Sequence, residues 1–145
     1  MISAFIDASV LYAAIHSPTG AAREIIRQAI RGNVALVFSK YVLAETERNL
    51  ANKAPELLPD FYSFLELIPF EIVQPTKRQV QRAARYTTLK DAPIVAAAKK
   101  AHVDYLVSLD RRHLIDVPEV AQRSGLRIIL PDQLLGEVRR QADVD

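Results

Sequence analysis

Short apolar runs alternate with segments of helical periodicity along nearly the whole chain, and this alternation limits the possible folds. The runs that predict buried strands cover residues 2–6, 34–39, 70–73, 104–108 and 126–130. Between them, apolar residues recur at helical spacing, as in Ala22, Ile25, Ile26, Ala29 and Ile30. Apolar strands joined by amphipathic helices form a mainly parallel sheet that is covered on both faces. We therefore predict an α/β protein with three layers, α/β/α.

Several of the predicted helices begin or end at residues with a known capping preference. Ser39 is suited to cap the helix that follows the second strand, and Pro59 occupies a first turn, where its missing N–H costs no hydrogen bond. Gly32 and Asn33 end the helix before the second strand. Further helices are predicted over residues 9–16, 56–68, 76–87, 91–102 and 131–141.

Length and composition indicate one domain over residues 1–145 and exclude several kinds of chemistry. Half of the residues are hydrophobic and a quarter are charged, as in a globular protein. The absence of cysteine excludes disulfides, zinc–thiolate sites and thiol catalysis. The sequence has neither a signal peptide's basic start nor an apolar stretch long enough to cross a membrane, so we expect a cytoplasmic protein. A net charge of +2 does not by itself indicate a nucleic-acid partner.

Acidic residues recur where the predicted strands end. Asp7 is the single carboxylate of the run SAFIDASVLYAAI, and Asp110 follows the strand DYLVS. The carboxyl ends of parallel strands share one edge of a sheet, and nearby helices can bring Asp91 and Glu45 to it. Taken singly, each aspartate could be a helix cap or a turn residue. Glu47 flanks the same apolar stripe as Glu45, and helical periodicity does not choose between them.

Carboxylates gathered in one cleft repel each other unless some are protonated or a cation binds. Ligand sets made of oxygen favour a hard divalent ion such as Mg²⁺ or Mn²⁺ over zinc or copper. A metal held in this way suits the cleavage of phosphodiester bonds. The set of acids therefore favours a metal-dependent nuclease over four unrelated structural carboxylates.

Four segments resemble, in order and spacing, the PIN-domain family, many of whose members are VapC-like toxin ribonucleases of toxin–antitoxin pairs. The segments are FIDASVLYAAIHSPTGAAREI, SKYVLAETERNL, KDAPIVAAAKKAHVDYLVSLDRRHL and GLRIILPDQLL. The resemblance assigns the family's catalytic and metal-binding acids to Asp7, Glu45, Asp91 and Asp110, and so selects Glu45 over Glu47. Ser9 and Ser108 stand where asparagine and threonine are common, and each keeps a hydroxyl able to orient a carboxylate or a water.

The resemblance implies an Mg²⁺- or Mn²⁺-dependent endoribonuclease in which metal-activated water cleaves RNA and leaves a 5′-phosphate and a 3′-hydroxyl. It further implies a small antitoxin partner and a homodimer. Arg111 and Arg112 adjoin Asp110, and we expect them to contact RNA phosphates. Residues 53–74 match no specific motif, although the family often uses this region for the antitoxin groove.

Three alternatives remain open at this point. The protein could be an RNA-processing PIN nuclease without an antitoxin, or a phosphatase or phosphoacceptor with an acidic pocket. It could also be a binding module without catalysis, which would tolerate Asp7→Asn. Two arginine stripes, Arg23–Arg27–Arg31 and Arg78–Arg82–Arg85, are more simply explained as solvated helix faces. The three histidines lack metal-ligand spacing, and we expect them to be structural or exposed: His16, His102 and His113.

Overall fold

The computed structural model describes residues 1–144 and contains a five-stranded parallel sheet flanked by helices. The strands lie in the order β3-β2-β1-β4-β5. Their bounds are β1 Ile2–Ile6, β2 Val34–Phe38, β3 Phe70–Ile72, β4 Tyr105–Val107 and β5 Ile128–Ile129. The predicted α/β class with a parallel central sheet is confirmed.

Eight α-helices connect and cover these strands within the described residues. They are α1 Ala8–His16, α2 Ala21–Ile30, α3 Lys40–Lys53, α4 Leu58–Leu67, α5 Lys77–Ala83, α6 Ala92–Lys100, α7 Pro118–Ser124 and α8 Pro131–Val144. A 3₁₀ turn over Pro55–Leu57 precedes α4, and a π-helical turn over Arg111–Ile115 follows β4. Within residues 1–144, no helix is both long enough and apolar enough to cross a membrane.

The core lies on both faces of the three central strands. Phe5, Leu36, Phe38 and Leu106 are each at most 1% exposed, which explains why these strands have continuous apolar sequences rather than alternating ones. Burying a side chain of this size stabilises the fold by about 2 kcal/mol relative to leaving it in water. The core thus holds the carboxyl ends of β1, β2 and β4 in fixed positions.

The strand order changes direction at β1, and this places a crevice between the ends of β1 and β4. From β1 the chain proceeds outwards to β2 and β3, and then returns to the other side of β1 for β4 and β5. Parallel α/β sheets bind ligands at such a switch point, outside the carboxyl ends of the strands. Ile6 pairs with Val107 there, and the Asp7 N–H donates to the Val107 carbonyl at 3.2 Å.

Several elements differ from the boundaries that the sequence predicts. The helix predicted over 56–68 is divided into the 3₁₀ turn and α4, with Pro59 in the first turn of α4. The helix predicted over 76–87 ends at Ala83, where the backbone continues in tighter turns such as Tyr86 N–H to Ala83 O at 3.1 Å. The sequence pattern predicts neither the π-helical turn nor α7.

Candidate active site

Asp7 occupies the end of β1 and begins α1, and it is only 3% exposed. Its Oδ1 accepts the Val10 N–H at 3.1 Å, so the side chain does cap the helix. The same oxygen accepts the Ser9 hydroxyl at 2.6 Å, and Oδ2 accepts the Ser108 hydroxyl at 2.5 Å. Asp7 therefore serves both as the N-cap of α1 and as a buried carboxylate at the crevice, so its role as a cap does not exclude a functional role.

Burial raises the pKa of Asp7 to about 6, although its three hydrogen-bond donors each act to lower it. The nearby charge of Asp91 adds to the increase. Desolvation disfavours the ionised form of a carboxyl, and a second carboxylate disfavours it further. The negative charge of this site is thus incompletely compensated by the protein, which is the condition under which a bound cation is stabilising.

The two serines join Asp7 to the segment that carries Asp110. The Ser108 hydroxyl, which donates to Asp7, accepts the Asp110 N–H at 3.0 Å. The Ser9 hydroxyl, which also donates to Asp7, accepts the Leu109 N–H at 3.2 Å. Both hydroxyls therefore orient the Asp7 carboxylate and hold the end of β4 against it, which is a typical arrangement around metal-binding carboxylates.

Asp110 begins the π-helical turn that follows β4. Its Oδ1 accepts the His113 N–H at 3.0 Å, and its Oδ2 lies 3.3 Å from His113 Nδ1. The turn is closed by hydrogen bonds between residues five apart, such as the Ile115 N–H to the Asp110 carbonyl at 3.0 Å. This backbone geometry keeps His113 next to Asp110. Single π-helical turns occur frequently at functional sites.

Asp91 lies at the start of α6, but its carboxylate accepts the Thr88 hydroxyl at 2.8 Å rather than capping the first turn. Burial raises the pKa of Asp91, and the charge of Asp110 raises it further. Thr88, His113 and Lys90 act in the opposite direction. The helix-cap interpretation therefore does not explain this side chain.

Potential ligand atoms of Asp91, Asp110 and His113 lie within 4.8 Å of one another. Two carboxylates and an imidazole suit a divalent cation of the first transition row as well as Mg²⁺. The uncompensated charge of Asp7 lies beside this group, so the donors fit a divalent metal. His113, expected from the sequence to be structural or exposed, joins the site because the turn after β4 brings it to Asp110, three residues earlier.

Glu45 is half-buried on α3, outside the group formed by Asp91, Asp110 and His113. Tyr41 lies near it: the Tyr41 hydroxyl donates to the Lys90 carbonyl at 3.2 Å, and its pKa is raised to about 12 by burial and by nearby Glu45 and Asp91. Glu47 is exposed and lies beside Tyr62 of α4 instead. Glu45 and Glu47 therefore lie beside different tyrosines, and Asp91 influences the same tyrosine as Glu45.

The π-helical turn directs the two predicted RNA-binding residues, Arg111 and Arg112, into different clefts. Arg112 lines a cleft with His113, whereas Arg111 lines a second cleft with Leu109 and Pro131. In the first arginine stripe, Arg23 donates to the Ala14 and Ile15 carbonyls at 2.5 and 3.1 Å, and its guanidinium lies 4.6 Å from the centre of the Phe64 ring. Arg23 therefore joins helices rather than binding a ligand.

Carboxylates converging at the switch point of a parallel sheet, beside an imidazole, define a class of α/β proteins with an acidic cleft at the carboxyl edge of the sheet. A sequence model described as "PIN domain" matches residues 3–112, which is most of the chain. The chain belongs to the PIN-domain family, whose domains are nucleases. Comparison of the sequence with curated proteins finds no match.

Solved structures share the fold at low sequence identity. PAE2754 from Pyrobaculum aerophilum is 19% identical, with a TM-score of 0.65 over 96% of this chain and 90% of that one. VapBC2 from Rickettsia felis, bound to a DNA fragment from its promoter, is 13% identical, with a TM-score of 0.64 over 89% and 98%. VapC20 from Mycobacterium tuberculosis, a sarcin–ricin loop cleaving toxin, is 17% identical, with a TM-score of 0.52 over 75% and 91%. These identities establish the fold alone.

Proposed function

We propose that the protein is a divalent-metal-dependent endoribonuclease and the toxin of a toxin–antitoxin pair. The observation that carries the proposal is the convergence of Asp7, Asp91 and Asp110 at the switch point of the sheet, with burial and mutual repulsion raising the pKa of Asp7 to about 6 and that of Asp91 above its usual range. Membership in the PIN-domain family supports the same activity. A metal-binding cleft explains why the fold retains carboxylates in so unfavourable an arrangement.

Asp91, Asp110 and His113 would hold the metal, with Asp7 beside them and Glu45 at the edge of the cleft. When bound, Mg²⁺ or Mn²⁺ supplies a water of lowered pKa and neutralises charge on the phosphate oxygens. Ser9 and Ser108 keep the Asp7 carboxylate oriented through the contacts of 2.6 and 2.5 Å. His113 presents its Nδ1 to Asp110, which leaves Nε2 for a ligand or for the solvent.

RNA as the substrate, an antitoxin partner, a homodimer and a cytoplasmic location extend the proposal beyond the acidic cluster. They are supported by the four sequence segments that resemble VapC-like toxins and by the shared fold with VapC20, which cleaves the sarcin–ricin loop. An RNA-processing nuclease would use the same site. Growth arrest on expression, relieved by the product of the neighbouring gene, would distinguish the toxin from the processing enzyme.

A phosphatase with Asp7 as a nucleophile is disfavoured by the surroundings of that side chain. Asp7 is 3% exposed, and both of its oxygens accept hydrogen bonds from Ser9, Val10 and Ser108. A carboxylate that attacks phosphorus needs an accessible oxygen with a free lone pair. The residue two positions after Asp7 is Ser9, a serine that donates to Asp7 rather than a second acid.

The test is cleavage of a labelled structured RNA by the purified protein with Mn²⁺, with Mg²⁺ and with EDTA. We expect metal-dependent cleavage that falls about a hundredfold or more in Asp7→Asn and Asp110→Asn, because the metal stabilises the transition state by several kcal/mol. Asp104→Asn is the matched control, since it removes a carboxylate from the opposite end of the β1–β4 pair. Equal cleavage by the wild type and Asp110→Asn would overturn the proposal.

A further inference from the structure

An open cleft of about 360 Å³, which we term the flanking groove, adjoins the acidic cluster. The residues that line it include Arg85, Tyr86, Thr88, Arg112 and His113. His113 contacts Asp110, and Thr88 donates to Asp91, so the groove begins at the acids themselves. An RNA chain with one phosphate at the acidic cluster must continue away from the cluster. The flanking groove is one path that the chain can follow.

The charge of the flanking groove is opposite to that of the cluster. Arg85 and Arg112 are exposed, and neither forms an ion pair with any of residues 1–144. The acid that lines the groove, Glu119, is already paired with Arg123 at 3.0 Å. These guanidinium groups therefore do not neutralise protein carboxylates, and they remain able to form bidentate hydrogen bonds with phosphate.

A second basic cleft, of about 260 Å³, lies between α5 and α6, and we term it the α5–α6 cleft. The residues that line it include Arg82, Tyr86, Lys99 and His102. Tyr86 lines both clefts, so they meet at this ring. The helix α6 runs from Asp91 at the acidic cluster towards His102, and its nine residues rise about 14 Å.

We infer that the flanking groove and the α5–α6 cleft form one track that binds the sugar–phosphate backbone of single-stranded RNA as it leaves the acidic cluster. This inference rests on the proposed function, and it assigns a role to Arg82 and Arg85, part of a stripe that the sequence alone favours as a solvated face. Arg112 and Arg85 bind the phosphates nearest the cleavage site, and Arg82 and Lys99 bind those farther along. Tyr86, whose ring already carries the Arg123 guanidinium 5.1 Å from its centre, forms the wall where the two clefts meet.

The test is fluorescence anisotropy of labelled single-stranded RNA in EDTA, so that cleavage does not interfere with binding. One oligonucleotide of about twelve nucleotides spans the track, and one of about three reaches only the cluster and the nearest phosphates. Arg31→Gln is the matched control, because Arg31 is an exposed arginine beyond the amino end of β2 and its loss changes the net charge equally.

We expect Arg85→Gln to weaken binding of the long RNA about threefold to tenfold and to reduce the slope of log affinity against log salt by about 0.7. The double variant Arg82→Gln/Lys99→Gln weakens binding of the long RNA but leaves the short one unchanged. Arg31→Gln leaves both unchanged within experimental error. Equal affinities for Arg85→Gln and Arg31→Gln, or an equal loss for the long and short RNA in the double variant, would overturn the inference.

The two proposals fail in different ways. Metal-dependent cleavage in which Arg85→Gln has the same KM and RNA affinity as Arg31→Gln would remove the track and leave the nuclease. Binding along the track without any cleavage would remove the nuclease and leave an RNA-binding surface. If Arg85→Gln lost affinity for polyglutamate but not for RNA, the clefts would belong to an acidic protein partner, and the inference would be wrong.

Discussion

Two aspartates lie at opposite ends of the same pair of strands and have different surroundings. Asp104, just before β4, accepts the Ser3 N–H at 2.8 Å and the Ser3 hydroxyl at 3.2 Å, and its own N–H donates to Ser3 Oγ at 2.9 Å. Asp7, at the end of β1, also receives backbone and serine donors, but it is buried beside Asp91. Asp104 thus connects two strands, whereas Asp7 belongs to a cluster of like charges.

The comparison shows that hydrogen bonds alone do not distinguish a structural carboxylate from a functional one. Asp7 receives three donors and still has its pKa raised to about 6, because burial and a neighbouring carboxylate outweigh them. Ionisation of such a carboxyl destabilises the fold unless a cation binds. The following predictions test whether the two ends of the β1–β4 pair differ in this way.

The largest effect is expected when each aspartate is replaced by asparagine in EDTA at pH 8. Asp7→Asn should increase the free energy of unfolding by at most about 3 kcal/mol, because the Asp7 pKa of about 6 exceeds the ordinary value of 3.8 and the amide loses one accepting oxygen. Asp104→Asn should decrease it by about 1 kcal/mol, because it weakens charge-assisted hydrogen bonds to Ser3. Urea denaturation monitored by circular dichroism measures both changes.

The stability gained in Asp7→Asn should depend on pH, because the pKa of Asp7 is raised in the folded state. Because the folded state binds the Asp7 proton more tightly than the unfolded state, ionisation destabilises the wild type as the pH rises from about 4 to about 6. The advantage of Asp7→Asn should therefore be absent at pH 4 and complete above pH 7. An advantage that does not change over this range would show that Asp7 does not titrate as its surroundings indicate.

A somewhat smaller effect is expected from the metal. Mn²⁺ at about one hundred times its dissociation constant should stabilise the wild type by about 2.7 kcal/mol, because it binds the folded state. Asp110→Asn should abolish most of this stabilisation, since Asp110 contributes an oxygen to the group with Asp91 and His113. Thermal unfolding with and without Mn²⁺ measures the effect, and Asp104→Asn should retain it. The same Mn²⁺ shift in Asp110→Asn and the wild type would place the metal elsewhere.

The smallest effect is expected when the serine that contacts each aspartate, Ser108 for Asp7 and Ser3 for Asp104, is replaced by alanine. Ser108→Ala should cost about 1 to 2 kcal/mol and lower cleavage about tenfold, because it removes a donor from Asp7 and an acceptor from the Asp110 N–H. Ser3→Ala should cost about 1 kcal/mol with no change in cleavage. Ser108→Thr, which keeps the hydroxyl, should restore cleavage. Failure of this restoration, or an equal loss in Ser3→Ala, would show that Ser108 acts only on stability.

Much of the fold could be predicted because its central elements are specified by contiguous residues. The run ISAFI predicts β1 with the same bounds that the structure shows, and Ser39 caps α3 through the Val42 N–H at 3.2 Å. The helix α7 also carries local signals that the sequence analysis missed. Pro118 lies in its first turn, and Gly125 follows it with a φ of 77°, a conformation that glycine adopts without strain.

Other boundaries depend on packing rather than on the local sequence. Residues 76–87 have a helical pattern throughout, but α5 ends at Ala83 and the chain turns so that Thr88 reaches Asp91. The π-helical turn after β4 likewise has no periodic signal in the sequence. It supplies the His113 N–H as a hydrogen-bond donor to the Asp110 carboxylate, and it directs Arg111 and Arg112 into different clefts. Both departures occur next to the acidic cluster, where local propensity and the geometry of the site conflict.

The sequence by itself determined which strands are buried and which acids follow them, because apolar runs and capping preferences act over a few neighbouring residues. It placed Asp7 and Asp110 at one edge of a parallel sheet and predicted an oxygen-rich metal site there. Only the tertiary structure decided that His113 joins them, that Glu45 and Asp91 both lie near Tyr41, and that Arg112 lies in the flanking groove with Arg85. These choices depend on distances between residues far apart in the chain, and such distances are set by how the helices pack on the sheet.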